Sequence, residues 1–270
     1  MFANMVNQKF TILTPNNNPY SNIRAEPLWV ILEMNSKEVT KQINSQIRPV
    51  LKENGFEKFI GRTYWRYRED RVDILNFQSF NSYHSEVMGC TTFSYSVNLS
   101  VFLNYIPGKI HVKEKNGLKR PNEAEGNFRK QLEKGMSQTE LKTRDVWYVD
   151  NEGKNLSDCI NDTKKQIKDV ALGWYEKFNS KEKIMEILNK EEIDMNGTWG
   201  FGRFDSANRA ELVAYTAFEL DDIDLCLAKL DELLEFYKEQ KEKIGFEYYD
   251  EQIKFTQSEI ERIKTTHNNV

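Results

Sequence analysis

The distribution of proline constrains the fold of this 270-residue chain more than any other feature of its sequence. Proline removes a backbone donor and clashes with the preceding helical turn, so it interrupts helices. All the prolines precede residue 122, and the second half of the chain is therefore free to form uninterrupted helices. They are Pro15, Pro19, Pro27, Pro49, Pro107 and Pro121.

Three runs in the first half have the pattern of β-strands, at residues 58–68, 71–79 and 91–103. In the third run apolar and polar residues alternate, which predicts a strand with one buried face. The polar turn "REDR" joins the first two runs, and we expect them to form an antiparallel hairpin. Shorter strands are predicted at 128–132 and 145–150.

Helical periodicity predicts the remaining elements. The first helix is expected to begin at Ser36 as its N-cap and to end before Gly55, with a kink or a break at Pro49. The helix predicted at residues 157–178 places its apolar residues, Val170 among them, on one side. Further helices are predicted at residues 181–190, 206–219, 221–242 and 248–265.

This pattern predicts an α+β fold, in which an antiparallel β-sheet packs against helices and a C-terminal helical bundle follows. Residues 1–33 show no sustained period and are expected to be an N-terminal arm. The α+β domain is predicted at 34–196 and the C-terminal helical subdomain at 197–270. The segment "GTWGFG" has its glycines in the reverse order of the dinucleotide-binding fingerprint. We therefore interpret it as a linker, whose Trp199 and Phe201 fill the seam between the sheet-bearing part and the C-terminal helices.

Composition disfavours several functional classes. The formal net charge of -4 argues against a protein that coats DNA. No run reaches the roughly 18 apolar residues that a membrane helix needs. Three widely spaced cysteines predict no disulfide framework and a cytoplasmic location. The three histidines lack ligand spacing, so we predict no metal, cofactor or catalytic residue, and a Cys–His pair would require two distant residues to meet through folding.

Three stretches occur in an order that is similar to a known family: "LKENGFEKFIGRTYWRY", "LNFQS" and "FSYSVNLSV". Residues 34–178 resemble the bacterial domain-of-unknown-function family 4304, to which no reaction is tied. Because some small α+β proteins of this kind neutralise toxins, the resemblance implies an immunity role by analogy. The helices on either side of Asp221 resemble one tetratricopeptide hairpin. A single hairpin does not make a solenoid, because stacking needs about three repeats.

The stretch "RTYWRYREDRVDILNFQS", residues 62–79, is the main candidate binding site. On an extended strand, Arg62, Tyr64 and Arg66 share one face. On the next strand Asn76 and Gln78 lie on the same side as each other, and Asn98 lies on the third strand. We expect these groups to converge on one face of the sheet and to bind carboxylates or phosphates. The predicted residues are Arg62, Tyr64, Arg66, Asn76, Gln78 and Asn98.

Two other interpretations of this stretch remain open. The polar groups can form a solvated sheet face whose cross-strand pairs only support the fold. Val72 and Ile74 lie on the same face of a regular strand as Asn76, so that face is partly apolar. The polar groups can converge on one face only if a β-bulge interrupts the strand. Nucleic acid is disfavoured as a partner, because Glu69 and Asp70 interrupt the basic stretch and no nucleic-acid-binding motif accompanies it.

An acidic run at residues 219–235 is a second candidate surface, one that would suit a basic partner. Its alternative is an ordinary helix start, with Asp221 as the N-cap and acidic residues in the first turn. The candidate residues are Asp222, Asp224, Asp231 and Glu235.

The sequence therefore predicts a non-catalytic bacterial protein-binding module, with the specific role of an immunity or accessory protein of a toxin or conflict system. The alternative is an anion- or small-ligand-binding domain, or an enzyme, that uses the polar sheet face between Arg62 and Gln78. Another protein is the expected partner, and neither a nucleic acid nor a membrane is.

Overall fold

The first helix begins one residue before its predicted cap. The side chain of Asn35 accepts hydrogen bonds from the backbone N–H groups of Lys37 and Glu38, at 2.9 and 3.3 Å. Asn35 rather than Ser36 is therefore the N-cap, because its backbone is extended and its side chain reaches the first free donors.

This helix continues past its proline through a π-turn. It consists of α1 (Ser36–Gln42), the π-turn (Ile43–Ile47) and α2 (Arg48–Glu53). Pro49 lies in the first turn of α2, so the predicted interruption is a local change of helical pitch. The predicted apolar face is buried and consists of Val39, Ile43, Ile47, Val50 and Leu51.

The computed structural model describes residues 34–107, 112–190 and 197–268. The predicted N-terminal arm and the predicted domain boundary at residue 196 lie outside the described residues. The described residues form one unit, in which the sheet and the C-terminal helices contribute to the same hydrophobic core.

The strands of the described residues are β1 (Lys58–Ile60), β2 (Thr63–Tyr67), β3 (Arg71–Ser79), β4 (Tyr95–Leu103), β5 (Glu114–Lys115), β6 (Leu118–Lys119) and β7 (Phe128–Gln131). Five of them form an antiparallel sheet with the order β1-β2-β3-β4-β7. The other two, β5 and β6, form a separate hairpin. The predicted strand 58–68 is in fact two strands, because Gly61 adopts a φ of 58° and the chain turns back there.

Helices cover one face of this sheet. Helix α3 (Ser82–Met88) connects β3 to β4, and the predicted helix 157–178 runs through two changes of pitch. Val170 lies in its π-turn and is 39% exposed, so its predicted place on the buried side is wrong. The segments are α4 (Leu156–Gln166), a π-turn (Ile167–Ala171), α5 (Leu172–Tyr175), a 3-10 turn (Glu176–Phe178) and α6 (Lys181–Leu188).

The other face carries a smaller apolar cluster of Trp65, Val72, Ile74 and Phe102. The chain around residues 112–126 covers it, since the Trp65 indole donates to the carbonyl of Pro121 at 2.7 Å. The strand predicted at 145–150 forms only a single bridge, between Trp147 and Tyr95.

Three helices complete the described part of the chain: α7 (Ala207–Phe218), α8 (Ile223–Ile244) and α9 (Tyr248–Asn268). α8 packs against both of the others. The predicted α+β fold, with an antiparallel sheet and C-terminal helices, is confirmed.

Candidate functional site

The register of the sheet separates the predicted binding residues onto two faces. Tyr64 stands opposite Leu75 and Arg66 opposite Asp73, on the face that the helices cover. Asn76 stands opposite Thr63, on the other face. The predicted convergence on one face is therefore wrong, because residues that pair directly across two strands share a face and no β-bulge shifts this register.

Arg66 belongs to a buried ionic network rather than to a surface. Asp73 is fully buried and accepts hydrogen bonds from Arg66 Nε at 2.7 Å and from Arg71 Nε at 2.9 Å. Arg66 also binds the Glu176 carboxylate at 3.1 Å, and Arg71 donates to the carbonyl of Phe178 at 2.5 Å. The network joins the sheet to the end of the covering helix.

Arg62 and Tyr64 hold the sheet against the first helix. The Arg62 guanidinium donates to the Thr40 hydroxyl at 2.9 Å and to the carbonyl of Ser36 at 2.7 Å. The Tyr64 hydroxyl donates to the Asn44 amide oxygen at 3.2 Å, and burial raises the pKa of Tyr64. These contacts give Arg62 and Tyr64 a structural role, as the ionic network does for Arg66.

The other three predicted residues lie together on the opposite face. Asn76 donates to the Thr63 hydroxyl at 2.8 Å, and Asn98 donates to the Gln78 amide oxygen at 2.8 Å. Gln131 of β7 stands opposite Asn98 and extends this polar row to the sheet edge. Cross-strand pairs of this kind support the fold and stay accessible to solvent.

Arg129 lies on this second face of the sheet and is not among the binding residues predicted from the sequence. It stands on β7 opposite Ser100, and its guanidinium stacks on the Trp199 ring at 3.9 Å from the centroid. Paired backbone hydrogen bonds of 2.7 and 2.8 Å hold residue 199 beside residue 129. Gly200 follows with a φ of 102°, and a Cβ there would lie 3.1 Å from Arg129 Nε, so glycine permits this close approach.

Both members of the Ser100–Arg129 pair have buried polar atoms without a hydrogen-bond partner. These are the Ser100 Oγ and the Arg129 Nε. The side chain of Arg129 makes one long hydrogen bond, of 3.4 Å to the carbonyl of Ala124. No carboxylate of the described residues lies within ion-pair distance of it. Burial lowers the pKa of Arg129, and the nearby charge of Glu123 acts in the opposite direction.

Arg129 lines a groove of about 520 Å³ between the sheet edge and the C-terminal helices. Phe102 and Asn127 lie on the sheet side, and Phe236 and Tyr248 lie on the helical side. An adjoining cavity of about 110 Å³ shares Phe236 with it. The volume is within the range of ligand- and peptide-binding sites. We call this space the Arg129 groove.

The segment predicted to be a linker forms one wall of this groove. Phe201 is buried against Phe128, with ring centroids 5.5 Å apart, and so fills the seam as expected. Trp199 is 41% exposed and instead supports Arg129. The sequence signal that could have identified this pair is an arginine on a short edge strand together with an aromatic residue between glycines.

A larger crevice of about 650 Å³ lies at the end of the β2–β3 hairpin. Its charged groups have both signs and largely neutralise each other. Lys181 binds Glu219 at 2.5 Å, and Arg68 lies 3.7 Å from Glu176. This pairing makes the crevice a poor anion site, although two arginines of the predicted stretch, Arg68 and Arg71, line it.

The second predicted surface forms an exposed acidic stripe along α8. Asp222 is the N-cap, since its carboxylate accepts the backbone N–H of Leu225 at 3.1 Å, and Asp221 is not the cap. Asp224, Asp231 and Glu235 are exposed, and Glu235 is paired with Lys238 at 2.7 Å. Whether this stripe binds a partner stays a prediction.

The described residues contain no group of three metal-ligating side chains, and His111 lies outside them. Burial raises the pKa of Cys159 to about 12 and that of Cys226 to about 11, so both stay thiols at neutral pH. No helix in the described part is long and apolar enough to span a bilayer.

Comparison with known proteins identifies one family. The family model described as "Domain of unknown function (DUF4304)" matches residues 47–177, which confirms the resemblance inferred from the sequence. The likeness of the helices around Asp221 to a tetratricopeptide hairpin is not confirmed. No curated protein and no solved structure matches the chain.

Proposed function

We propose that this protein, which carries a DUF4304 domain at residues 47–177, is a non-catalytic protein-binding module whose partner occupies the Arg129 groove. The domain supplies the sheet side of the groove, and the helices after it supply the other side. An immunity or accessory role in a bacterial conflict system is the specific form of this proposal.

The observation that carries the proposal is a group of exposed aromatic side chains in and beside the groove. Of the ten large apolar side chains exposed in the described part of the chain, Phe236 and Tyr248 line the groove itself. Phe204 lines the adjoining cavity, and Trp199 stacks on Arg129. Clustered exposed aromatic residues are typical of protein-binding surfaces.

A second candidate function is the binding of a small anionic ligand at the same place. Its support is Arg129, a partly buried guanidinium without a carboxylate partner among the described residues. A ligand that binds only the folded state raises the melting temperature, so a screen of phosphorylated metabolites and carboxylic acids tests this alternative directly.

The experiment for the main proposal is capture of a partner by the full-length tagged protein from its source cells, with nuclease present. We expect wild type to retain one stoichiometric protein and the double variant Phe236→Ala/Tyr248→Ala to lose it at least tenfold. The matched control is Tyr83→Ala/Val87→Ala, whose side chains are 70% and 68% exposed on α3. Equal capture by the groove variant and the control would refute the groove as the binding surface.

A further inference from the structure

The groove has one chemical feature that its aromatic lining does not explain. Arg129 is removed from water on one side by Trp199 and by the close approach of Gly200, yet no acidic side chain of the described residues forms an ion pair with it, and only the more distant charge of Glu123 acts on it. Partly desolvated guanidinium groups are normally paired, because leaving them uncompensated costs free energy. The pairing group is therefore expected from outside this part of the chain.

The surroundings of Arg129 indicate that its position is specified. Ser100 is fully buried opposite Arg129, and its hydroxyl oxygen also lacks a partner. The backbone of Gly126 covers this hydroxyl so closely that a Cβ there would lie 1.7 Å from it. Trp199 covers one face of the guanidinium, and the N–H donors lie at its edge. Nε on that edge is buried, so the terminal Nη groups are the donors left for a partner.

From this geometry we propose that Arg129 is the receptor for a carboxylate of the partner protein, presented next to an apolar or aromatic residue that contacts Phe236 and Tyr248. This inference rests on the proposed function and specifies its partner. A planar carboxylate can accept two parallel N–H bonds from a guanidinium that is held in one plane. The neighbouring aromatic surface then buries the adjacent side chain of the partner.

The charges around the groove favour a carboxylate over a phosphate. Glu125 and Glu211 line the groove, and the charge of Glu123 is felt at Arg129. Glu125 also accepts the backbone N–H of Asn122 at 2.6 Å. These acidic groups repel a doubly charged phosphate more strongly than a singly charged carboxylate. For the same reason a polyanionic nucleic acid is disfavoured.

The test uses ¹⁵N-labelled full-length protein and three matched dipeptides as probes. Acetyl-Gln-Phe with a free carboxyl terminus presents a terminal carboxylate, and acetyl-Glu-Phe-amide presents a side-chain carboxylate. The neutral control is acetyl-Gln-Phe-amide. The signals are the indole N–H of Trp199, assigned by its loss in Trp199→Phe, and the Nε–H of Arg129. Inorganic phosphate is titrated in parallel.

We expect saturable shifts with at least one carboxylate dipeptide and binding weaker by about tenfold or more for the neutral one, as for a lost charged hydrogen bond. Which dipeptide binds more tightly identifies the source of the carboxylate. Arg129→Gln should abolish the difference between charged and neutral probes. Arg203→Gln should keep it, since Arg203 is a largely exposed arginine beside the same segment. Equal binding of charged and neutral probes, or tighter binding of phosphate, would overturn the inference.

The capture experiment repeated with Arg129→Gln separates this inference from the proposed function. If wild type and Arg129→Gln retain the partner equally, the carboxylate receptor is wrong and the binding module stands. If Arg129→Gln loses the partner as Phe236→Ala/Tyr248→Ala does, while its melting temperature stays near that of wild type, both are supported. Loss of capture together with a large fall in melting temperature counts against a specific receptor role.

Discussion

At the scale of single residues, arginine serves two different purposes in this protein. Arg66 and Arg71 compensate the buried Asp73 and tie the sheet to the covering helix. Arg129 has no such counterion in the described part of the chain and lines a groove. The local sequence of an arginine beside aromatic residues is similar in both cases, and only the partner decides between a structural and a binding role.

Removal of Asp73 is expected to destabilise the fold severely. Asp73→Ala leaves the buried Arg71 without its counterion and leaves Arg66 with only the half-exposed Glu176, and breaking such a network typically costs about 3–5 kcal/mol. Urea denaturation followed by circular dichroism measures the change in the free energy of unfolding. The control is Arg68→Ala, a 44% exposed side chain at the edge of the same network, which should cost less than about 1 kcal/mol. Similar losses for both variants would contradict the network as the cause.

At the scale of elements, the ends of the helices and strands depend on side-chain contacts that periodicity does not reveal. Asn35 and Ser36 are both good N-cap residues, so the sequence alone could not choose between them. The π-turn at Ile43–Ile47 lets an apolar face continue past Pro49. Gly61 turns one predicted strand into two, which places Phe59 opposite Tyr64 on the core side.

The capping contacts predict an asymmetry between two neighbouring substitutions. Asn35→Ala removes the acceptor for the backbone N–H groups of Lys37 and Glu38, and we expect a loss of about 1 kcal/mol in the free energy of unfolding. Ser36→Ala removes no cap and should change it by less than about 0.5 kcal/mol. Equilibrium denaturation of both variants is the measurement, and a larger effect for Ser36→Ala would show that Asn35 is not the cap.

At the scale of the whole molecule, the helices on one face of the sheet bury several ionisable aromatic and thiol groups. Burial raises the pKa of Tyr95 and Tyr175 well above the ordinary value of 10.0. It raises the pKa of Cys159 to about 12. These groups stay neutral in the folded state at pH values where the unfolded chain ionises them.

This difference predicts that the protein loses stability in alkali. Groups whose pKa is raised by folding contribute stability that is complete below their unfolded pKa and is lost as the pH rises towards the folded value. We expect the free energy of unfolding to be nearly constant from pH 7 to about 9 and to fall above about 10. Lys134, whose pKa burial lowers, acts in the opposite direction. Burial also lowers the pKa of Arg62, Arg129 and Arg209, but the ordinary pKa of arginine lies above this pH range.

Denaturation at a series of pH values measures this dependence. Tyr95→Phe should be less stable at pH 7 by about 1 kcal/mol, because it loses the 2.9 Å hydrogen bond to Thr163. Its stability should then fall less steeply above pH 10, because one raised pKa is gone. An alkaline slope identical to that of wild type would exclude Tyr95 as a contributor.

The sequence by itself determined the α+β class, the alternating strand β4, the helical second half and most of the buried faces. These depend on local periodicity and on proline, which act within a few residues of each other along the chain. Tertiary structure alone decided the register, and with it which polar residues share a face. A pairing shift of one residue moves every side chain to the opposite face, and this shift depends on long-range packing. The predicted binding residues were therefore divided between two faces, and Arg129 and Trp199, seventy positions apart, came into contact only through the fold.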